Sequence, residues 1–257
     1  MNGKFRRKVA PSNRGSGWAD TSPGHRNGAS ASETPAGNKA YYAQKLSGKR
    51  LELVYELADE RVQRYLKAEI DHVASFVEPG HKILELGCGY GRVLAAVALK
   101  AAEAWGIDNS QENLELGRSR YPDLHFRSMD AQHLDFDDGC FDIVFGIQNF
   151  VSACKVPPKR LLVEALRVTR GNGKVLLSSY AASFWPQRLK WFRSQAEHGL
   201  IGRIDEESSG DGVIVGEDGF RATTFGPDDF QGLISSCQVF GKIYTVDESS
   251  IFCRVDK

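Results

Sequence analysis

A chain of 257 residues with 33 basic and 33 acidic side chains is long enough for one α/β domain with an appendage, and it can bury an adequate core. The balanced charge gives the whole molecule no signature of a nucleic-acid binder, and no apolar run approaches the roughly 18 residues of a membrane span. The cysteines Cys88, Cys140, Cys154, Cys237 and Cys253 are scattered without a C-x-x-C pair, which argues against a disulfide framework and a zinc site and for a reducing, cytoplasmic setting.

Residues 1–38 are rich in Gly, Ser, Pro, Asn and Ala and poor in large apolar side chains, so burial cannot offset their ordering entropy. They are expected to form a disordered basic arm, with Lys4, Arg6, Arg7, Lys8, Arg14 and Arg26 set against Asp20 and Glu33. The plain reading is a solvated tail; contact with RNA, an anionic surface or an import receptor are the functional ones. Met1 to Ala10 lacks the apolar centre of a secretory signal, whereas the Arg- and Ser-rich composition leaves an organelle transit peptide open.

The composition changes at Tyr41. Leu51, Val54 and Leu57, then Val62, Leu66, Ile70, Val73 and Val77, recur at helical spacing, which predicts two amphipathic helices broken near Ala58-Asp59 and closed by Pro79-Gly80. Residues 39–78 therefore read as a helical cap leading into a domain that runs from 39 to 257.

Next comes Ile83-Leu84-Glu85-Leu86-Gly87-Cys88-Gly89-Tyr90-Gly91-Arg92-Val93-Leu94, an apolar strand, an acidic residue, alternate glycines and a helix-forming run. Such spacing lets the backbone turn sharply at a strand end and leaves room for a ligand. A helix from Gly91 to Lys100 would aim its positive N-terminus there. Without a ligand the same residues make an ordinary tight turn, and Cys88 reads as a small filler within it.

Three more apolar segments end in polar groups. Ala104-Trp105-Gly106-Ile107 runs into Asp108, Leu124 to Met129 into Asp130-Ala131, and Phe141 to Gly146 into Gln148-Asn149. Parallel strands would bring these groups to one carboxyl edge, where ligands sit in open α/β sheets. Taken in order, Glu85, Gly87-x-Gly89-x-Gly91, Asp108 and Asp130-Ala131 resemble the class I S-adenosylmethionine-dependent methyltransferases, closely over about Gly80 to Ser179 and loosely elsewhere.

That resemblance implies an α/β, Rossmann-like fold: a mostly parallel seven-stranded sheet with an antiparallel last strand and helices on both faces. It also implies S-adenosylmethionine as cofactor and a small-molecule acceptor. By the same resemblance Glu85, Gly87, Cys88, Gly89 and Gly91 hold the methionine end, Asp108 accepts from the ribose hydroxyls, and Asp130 with the Ala131 backbone meets the adenine. Asn109 and Gln132 line the adenosine pocket, and His133 reads as a surface residue. Gln148 and Asn149 lie near the transferable methyl and, with Tyr41 and Tyr42, are the candidates for a catalytic part. In related enzymes an N-terminal helix folds over the cofactor, and aromatic rings suit a sulfonium cation; core packing explains the two tyrosines equally well. The Asn/Asp-Pro-Pro-Tyr run of amide-methylating members and the carboxylate set of a catechol-type magnesium site are both missing, so no metal is expected.

Further along, helices are expected from Ser110 (an N-cap) to Arg120, from Pro157-Pro158 to near Gly171, from Ser183 to His198, and from Pro227 to about Ser236. Lys174 to Tyr180 reads as the fifth strand, and Gln238 to Val246 and Ser250 to Val255 as the closing pair. Residues 181–225 are long for a connection and read as a lid inserted after that strand. Tyr180, Phe184, Trp185, Trp191 and Phe192 would wall an acceptor pocket or fill the core beneath the insert. Arg221 is either an acidic-acceptor contact or a solvated charge.

Methyl transfer needs alignment above all, and a soft nucleophile needs no protein base. No residue stands out as that base, which favours a thiol, an amine or an activated carbon as acceptor. The rival enzyme is an NAD(P)-dependent oxidoreductase, disfavoured by the glycine spacing and the lack of a Tyr-x-x-x-Lys. The rival outside catalysis is an S-adenosylmethionine-binding scaffold or regulator, and RNA modification guided by the arm is a third.

Overall fold

The computed structural model describes Tyr41 and residues 45–257, so the arm and Tyr42 lie outside the described residues. Strands β1 (Lys82–Leu86), β2 (Glu103–Asp108), β3 (His125–Ser128), β4 (Phe141–Gly146) and β5 (Thr169–Tyr180) run parallel in the spatial order β3-β2-β1-β4-β5. Two short strands, β6 (Ile214–Val215) and β7 (Arg221–Ala222), form a separate hairpin. The main sheet is completed by β9 (Ser250–Asp256), antiparallel to β5, and by β8 (Gly241–Val246) on the far edge, antiparallel to β9. This is the expected seven-stranded sheet with one antiparallel strand.

Alternate side chains point to opposite faces of a strand, and here both faces are buried. Leu84, Leu86, Val144, Val175 and Leu177 pack on one side. After the short α5 (Phe150–Ala153), helices α6 (Pro158–Val168) and α8 (Pro227–Ser236) cover that side with Leu161, Leu162, Phe230 and Leu233. Ile83, Ile143, Phe145, Leu176 and Phe252 pack on the other. There they meet α2 (Glu60–Ala74), α3 (Arg92–Val97) and α4 (Gln111–Arg120) through Val73, Leu94 and Leu114. Helix α1 (Lys49–Glu56) ends before Asp59, whose carboxylate accepts from Val62 N at 3.0 Å and starts α2, so the break falls where the periodicity put it.

A third core lies apart from the sheet. Val54 of α1 and Val62, Tyr65 and Leu66 of α2 pack against Trp191 and Phe192 of α7 (Trp185–Glu197) and against Phe220 of the segment before β7. Trp191 Nε1 donates to Val54 O at 2.9 Å, and Arg50 donates to Gly199 O at 2.8 Å. The N-terminal helices and residues 181–225 therefore share one apolar interior.

Two elements differ from expectation. Strand β5 begins at Thr169 rather than Lys174, because Thr169 pairs with Phe141 and the Asn172-Gly173 turn is absorbed as a register shift that the chain end closes: Asn172 N donates to Lys257 O, and Lys257 N to Gly173 O. The α-helical part after the glycine loop spans only Arg92–Val97 before a 3-10 turn, Ala98–Lys100, so its axial dipole is weaker than a ten-residue helix would supply.

Gly91 caps that helix with φ +86°, and a Cβ there would meet the Phe126 ring at 2.6 Å. A side chain would suffer both the left-handed backbone and an overfilled core. Gly91→Ala is expected to destabilise the fold by about 2–4 kcal/mol, read as a lower urea midpoint with an unchanged m value.

Candidate functional site

One cavity of about 280 Å³ opens at the carboxyl ends of β1, β2, β3 and β4 and runs beneath α1, α2 and α7. Glu85, Gly87, Cys88 and Gly89 line it from the first turn, and Asp108, Asn109, Asp130 and Ala131 from the second and third. Gln148 and Asn149 reach it from the fourth. Parallel register makes this convergence necessary: Glu85 lies level with Gly106 of β2 and Phe145 of β4, so the following residues emerge together.

Glu85 is 4% exposed, and its Oε2 has no hydrogen-bond partner among the described residues. Burial pushes its pKa well above the ordinary carboxylate value, and the guanidinium of Arg92 opposes that only in part. Asp108 uses both oxygens: Oδ2 accepts from Gly89 N at 2.9 Å and Oδ1 from Ser110 N at 2.8 Å. It thereby fixes the glycine loop against the start of α4. Burial raises its pKa despite those donors. Gly89 has φ +53°, and a Cβ there would touch Leu51 at 3.0 Å, so the loop and α1 approach as closely as backbone permits.

Asp130 is exposed and holds its own turn, accepting from Gln132 N at 3.0 Å and from Gln132 Nε2 at 2.9 Å. Ala131 is buried behind it, and His133 is exposed, as its sequence context implies. The buried Cys88 thiol sits where a Cβ on Gly106 would come within 2.7 Å of its Sγ, and burial pushes its pKa well up, so it packs rather than reacts.

The turn after β4 carries two consecutive non-glycine residues in the left-handed region, Gln148 at φ +56° and Asn149 at φ +68°. Such strain persists only where surroundings impose it. Gln148 N donates to Glu69 Oε2 at 2.7 Å and to Ser178 Oγ at 3.0 Å, and Gln148 Oε1 accepts from Arg92 at 2.6 Å. Its Nε2 is buried on the cavity wall without a partner. Asn149, by contrast, is committed: its Nδ2 donates to Thr223 O and its Oδ1 accepts from Ser179 Oγ, tying the insert to β5.

Gly91 caps α3 without lining the cavity, and Tyr41 is likewise outside the lining. Tyr41 packs edge-on against Phe220 and donates to Asp218 Oδ2 at 2.6 Å. Of the aromatic candidates, Tyr180, Trp191 and Phe192 line the cavity, while Phe184 and Trp185 pack behind. Arg221 is exposed on β7.

Glu69, Arg92, Tyr65 and Gln195 were not singled out by the sequence reading. Glu69 had a signal: it falls seven residues after Val62 on the apolar face of α2, where a charge is out of place. Arg92 directly follows the last glycine, stacks over Tyr55 at 3.9 Å and bonds Gln148.

Residues 83–173 match the family described as a methyltransferase domain. The chain is 31% identical over 132 residues to a demethylmenaquinone methyltransferase of Renibacterium salmoninarum, covering 50% of this chain and 53% of that one. It is 32% identical to a phthiotriol/phenolphthiotriol dimycocerosates methyltransferase of Mycobacterium tuberculosis over 48% of this chain and 46% of that one. It thus spans about half the length of the curated relatives it matches. The fold is shared with a protein of Pyrococcus horikoshii (TM-score 0.55, 20% identity, 78% of this chain and 92% of that one). It is shared too with an S-adenosylmethionine-dependent methyltransferase of Methanosarcina mazei (TM-score 0.53, 18% identity, 72% and 96%). No helix among the described residues is long and apolar enough to cross a membrane.

Burial pushes the pKa of Glu69 up to about 7 from its ordinary 4.5. Below pH 4.5 the group is neutral folded or unfolded; as pH rises towards 7 the unfolded chain ionises first, and folding stability is lost. Relative to Glu69→Gln, the native protein should lose about 3 kcal/mol between pH 4.5 and pH 8, measured by urea unfolding. A pH-independent difference would mean that Glu69 titrates normally.

Proposed function

We propose, for a chain that carries a class I S-adenosylmethionine-dependent methyltransferase domain, that the cavity binds S-adenosylmethionine at the strand ends and a small-molecule acceptor under the cap, and that the methyl group passes between them. The observation that carries this reading is Glu85, a buried carboxyl with a partnerless oxygen on the wall of a cavity floored by a glycine turn. A buried, unpaired carboxyl is costly, and a bound ammonium would relieve it. The glycine turn, Asp108 and Asp130-Ala131 supply the remaining donors and acceptors for the ribose and adenine in the order the resemblance implies.

When bound, the cofactor supplies an electrophilic methyl group on a sulfonium centre. The protein's part is then to bind, align and exclude water. Glu85 and Gly87 to Gly89 would hold the amino-acid end, and Asp108 the ribose. Gln148, locked by Glu69, Ser178 and Arg92, offers its free amide nitrogen at the junction between the cofactor end and the capped end. Residues 181–225 would act as a lid, Trp191 and Phe192 closing the cavity opposite the strand ends. Neither the NAD(P) reading nor the scaffold reading finds support in the family match.

Two measurements test the proposal. Asp108→Ala should weaken both S-adenosylmethionine and its demethylated product by roughly 1.5–3 kcal/mol in calorimetry, the scale of hydrogen bonds to a charged group. Tight NAD binding without any response to S-adenosylmethionine would sink it. Because burial raises the Glu85 pKa and a bound ammonium would lower it again, cofactor binding should release a proton over the pH range in which Glu85 titrates, seen as a dependence of the binding heat on the buffer's ionisation enthalpy. Glu85→Gln should abolish that release.

A further inference from the structure

We infer that the end of the cavity between α2 and α7 is a subsite for a flat, uncharged ring compound whose acceptor oxygen is held by the Tyr65 hydroxyl and the Gln195 side-chain amide. As an assignment of the methyl acceptor, it rests on reading the cavity as a methyl-transfer site.

The cavity has two chemically different ends. Its charged lining residues among those described, Glu85, Arg92, Asp108 and Asp130, all come from the strand ends and the first residue of α3. The opposite end is built from Leu66, Tyr180, Trp191, Phe192 and Phe220, with no ionised group among its described lining residues. Arg188 lies outside that lining: its guanidinium stacks over the Tyr180 ring at 4.4 Å, and Nη1 donates to Gly212 O at 2.8 Å.

Into this apolar chamber project two polar groups that the protein leaves unsatisfied. Tyr65 is fully buried, with the Tyr180 side chain beside it, and its hydroxyl makes no well-formed hydrogen bond to a described residue; Gln195 is 2% exposed, and its Nε2 has no partner among the described residues. Both line the cavity. They come from helices far apart in sequence, α2 and α7, whose apolar faces pack in one core. Leaving a buried donor unmade is unfavourable, and two such donors in one chamber mark a place where a ligand atom completes the bonding. Burial also raises the Tyr65 pKa well above its ordinary value, so the phenol stays protonated and donates. The matching ligand atom is an oxygen acceptor. The aromatic walls favour a planar ring, which stacks or packs edge-on against them. A carboxylate or ammonium would enter an end whose described lining carries no ionised group to pair with it, at a desolvation penalty; the Arg188 guanidinium stands behind the Tyr180 and Phe192 rings and is already bonded to Gly212 O.

Coumarin tests this directly. It is flat and uncharged and carries acceptor oxygens; naphthalene has the same outline without them, and 2-naphthoate adds a charge. The three are titrated calorimetrically into the full-length protein with S-adenosylhomocysteine present. Coumarin should bind roughly tenfold more tightly than naphthalene, with 2-naphthoate weakest. Tyr65→Phe and Gln195→Met should each cut the coumarin preference to about threefold or less while leaving naphthalene and S-adenosylhomocysteine affinities unchanged. Should Tyr65→Phe fail to fold, Gln195→Met carries the test alone. An undiminished preference in the variants, as expected if the two groups hold only water, would overturn the subsite, as would 2-naphthoate binding as well as coumarin. Failure of S-adenosylhomocysteine to bind, with the coumarin preference still dependent on the two residues, would overturn the methyl-transfer reading and leave the subsite standing.

Discussion

The structure turns on carboxyl groups kept out of water at one sheet edge. Glu69, Glu85 and Asp108 each have a pKa raised by burial, and Arg92 is the one cation in the cavity lining among the described residues. Buried acids of this kind persist when other groups fix them in place. Asp108 is fixed by two backbone donors and Glu69 by the Gln148 N–H; Glu69 Oε1 and Glu85 Oε2 each lack a partner among the described residues, but only Glu85 lines the cavity. The unequal treatment separates roles. Asp108 and Glu69 shape the loops around the cavity, and Glu85 presents its partnerless oxygen on the cavity wall. An excess of acids over cations suits a ligand that carries positive charge, which S-adenosylmethionine does at both its amino group and its sulfur.

The same edge sets the conformation of the turn after β4. Gln148 and Asn149 are both left-handed, which two β-carbon residues in sequence adopt only under constraint. Constraint arrives from three directions: Glu69 on α2, Ser178 and Ser179 on β5, and Thr223 in the insert. Cap, sheet and insert therefore meet at one turn. A shift of α2 would alter Gln148 directly, so the third core and the strand ends are coupled by hydrogen bonds as well as by shared packing.

The strand-end half of the cavity was legible in the sequence because its parts are local. Each acidic residue or glycine follows its own apolar strand within a few residues, and parallel pairing alone brings them together, as with Glu85 level with Gly106. Helix boundaries at Asp59, Ser110 and Pro158 were equally readable, since capping chemistry acts within one turn. The start of β5 was not, because the pairing of Thr169 with Phe141 and the closure by Lys257 are long-range and override the turn propensity of Asn172-Gly173. Glu69 left a trace as a charge on an apolar helix face, but its partner, the Gln148 backbone, is 79 residues away and invisible to periodicity.

The capped end was legible only as an alternative, with Tyr180, Trp191 and Phe192 read as either a pocket wall or core, for a more basic reason. Val54, Tyr65, Trp191 and Phe220 look like ordinary core residues at helical or strand spacing, and they do form a core. What makes one side of that core a cavity wall is the packing of residues 181–225 against α1 and α2, a match between segments more than a hundred positions apart. Periodicity reports that a face is apolar and says nothing about whether protein or ligand covers it. The informative groups are the polar ones that packing fails to satisfy, Tyr65 and Gln195, and these can be identified only once every neighbour is placed. The division follows from how the fold is built: consecutive strand ends supply one half of the cavity, and an assembled cap supplies the other. Substitutions in the cap can reshape that end of the cavity while the strand-end residues stay where the sheet register puts them.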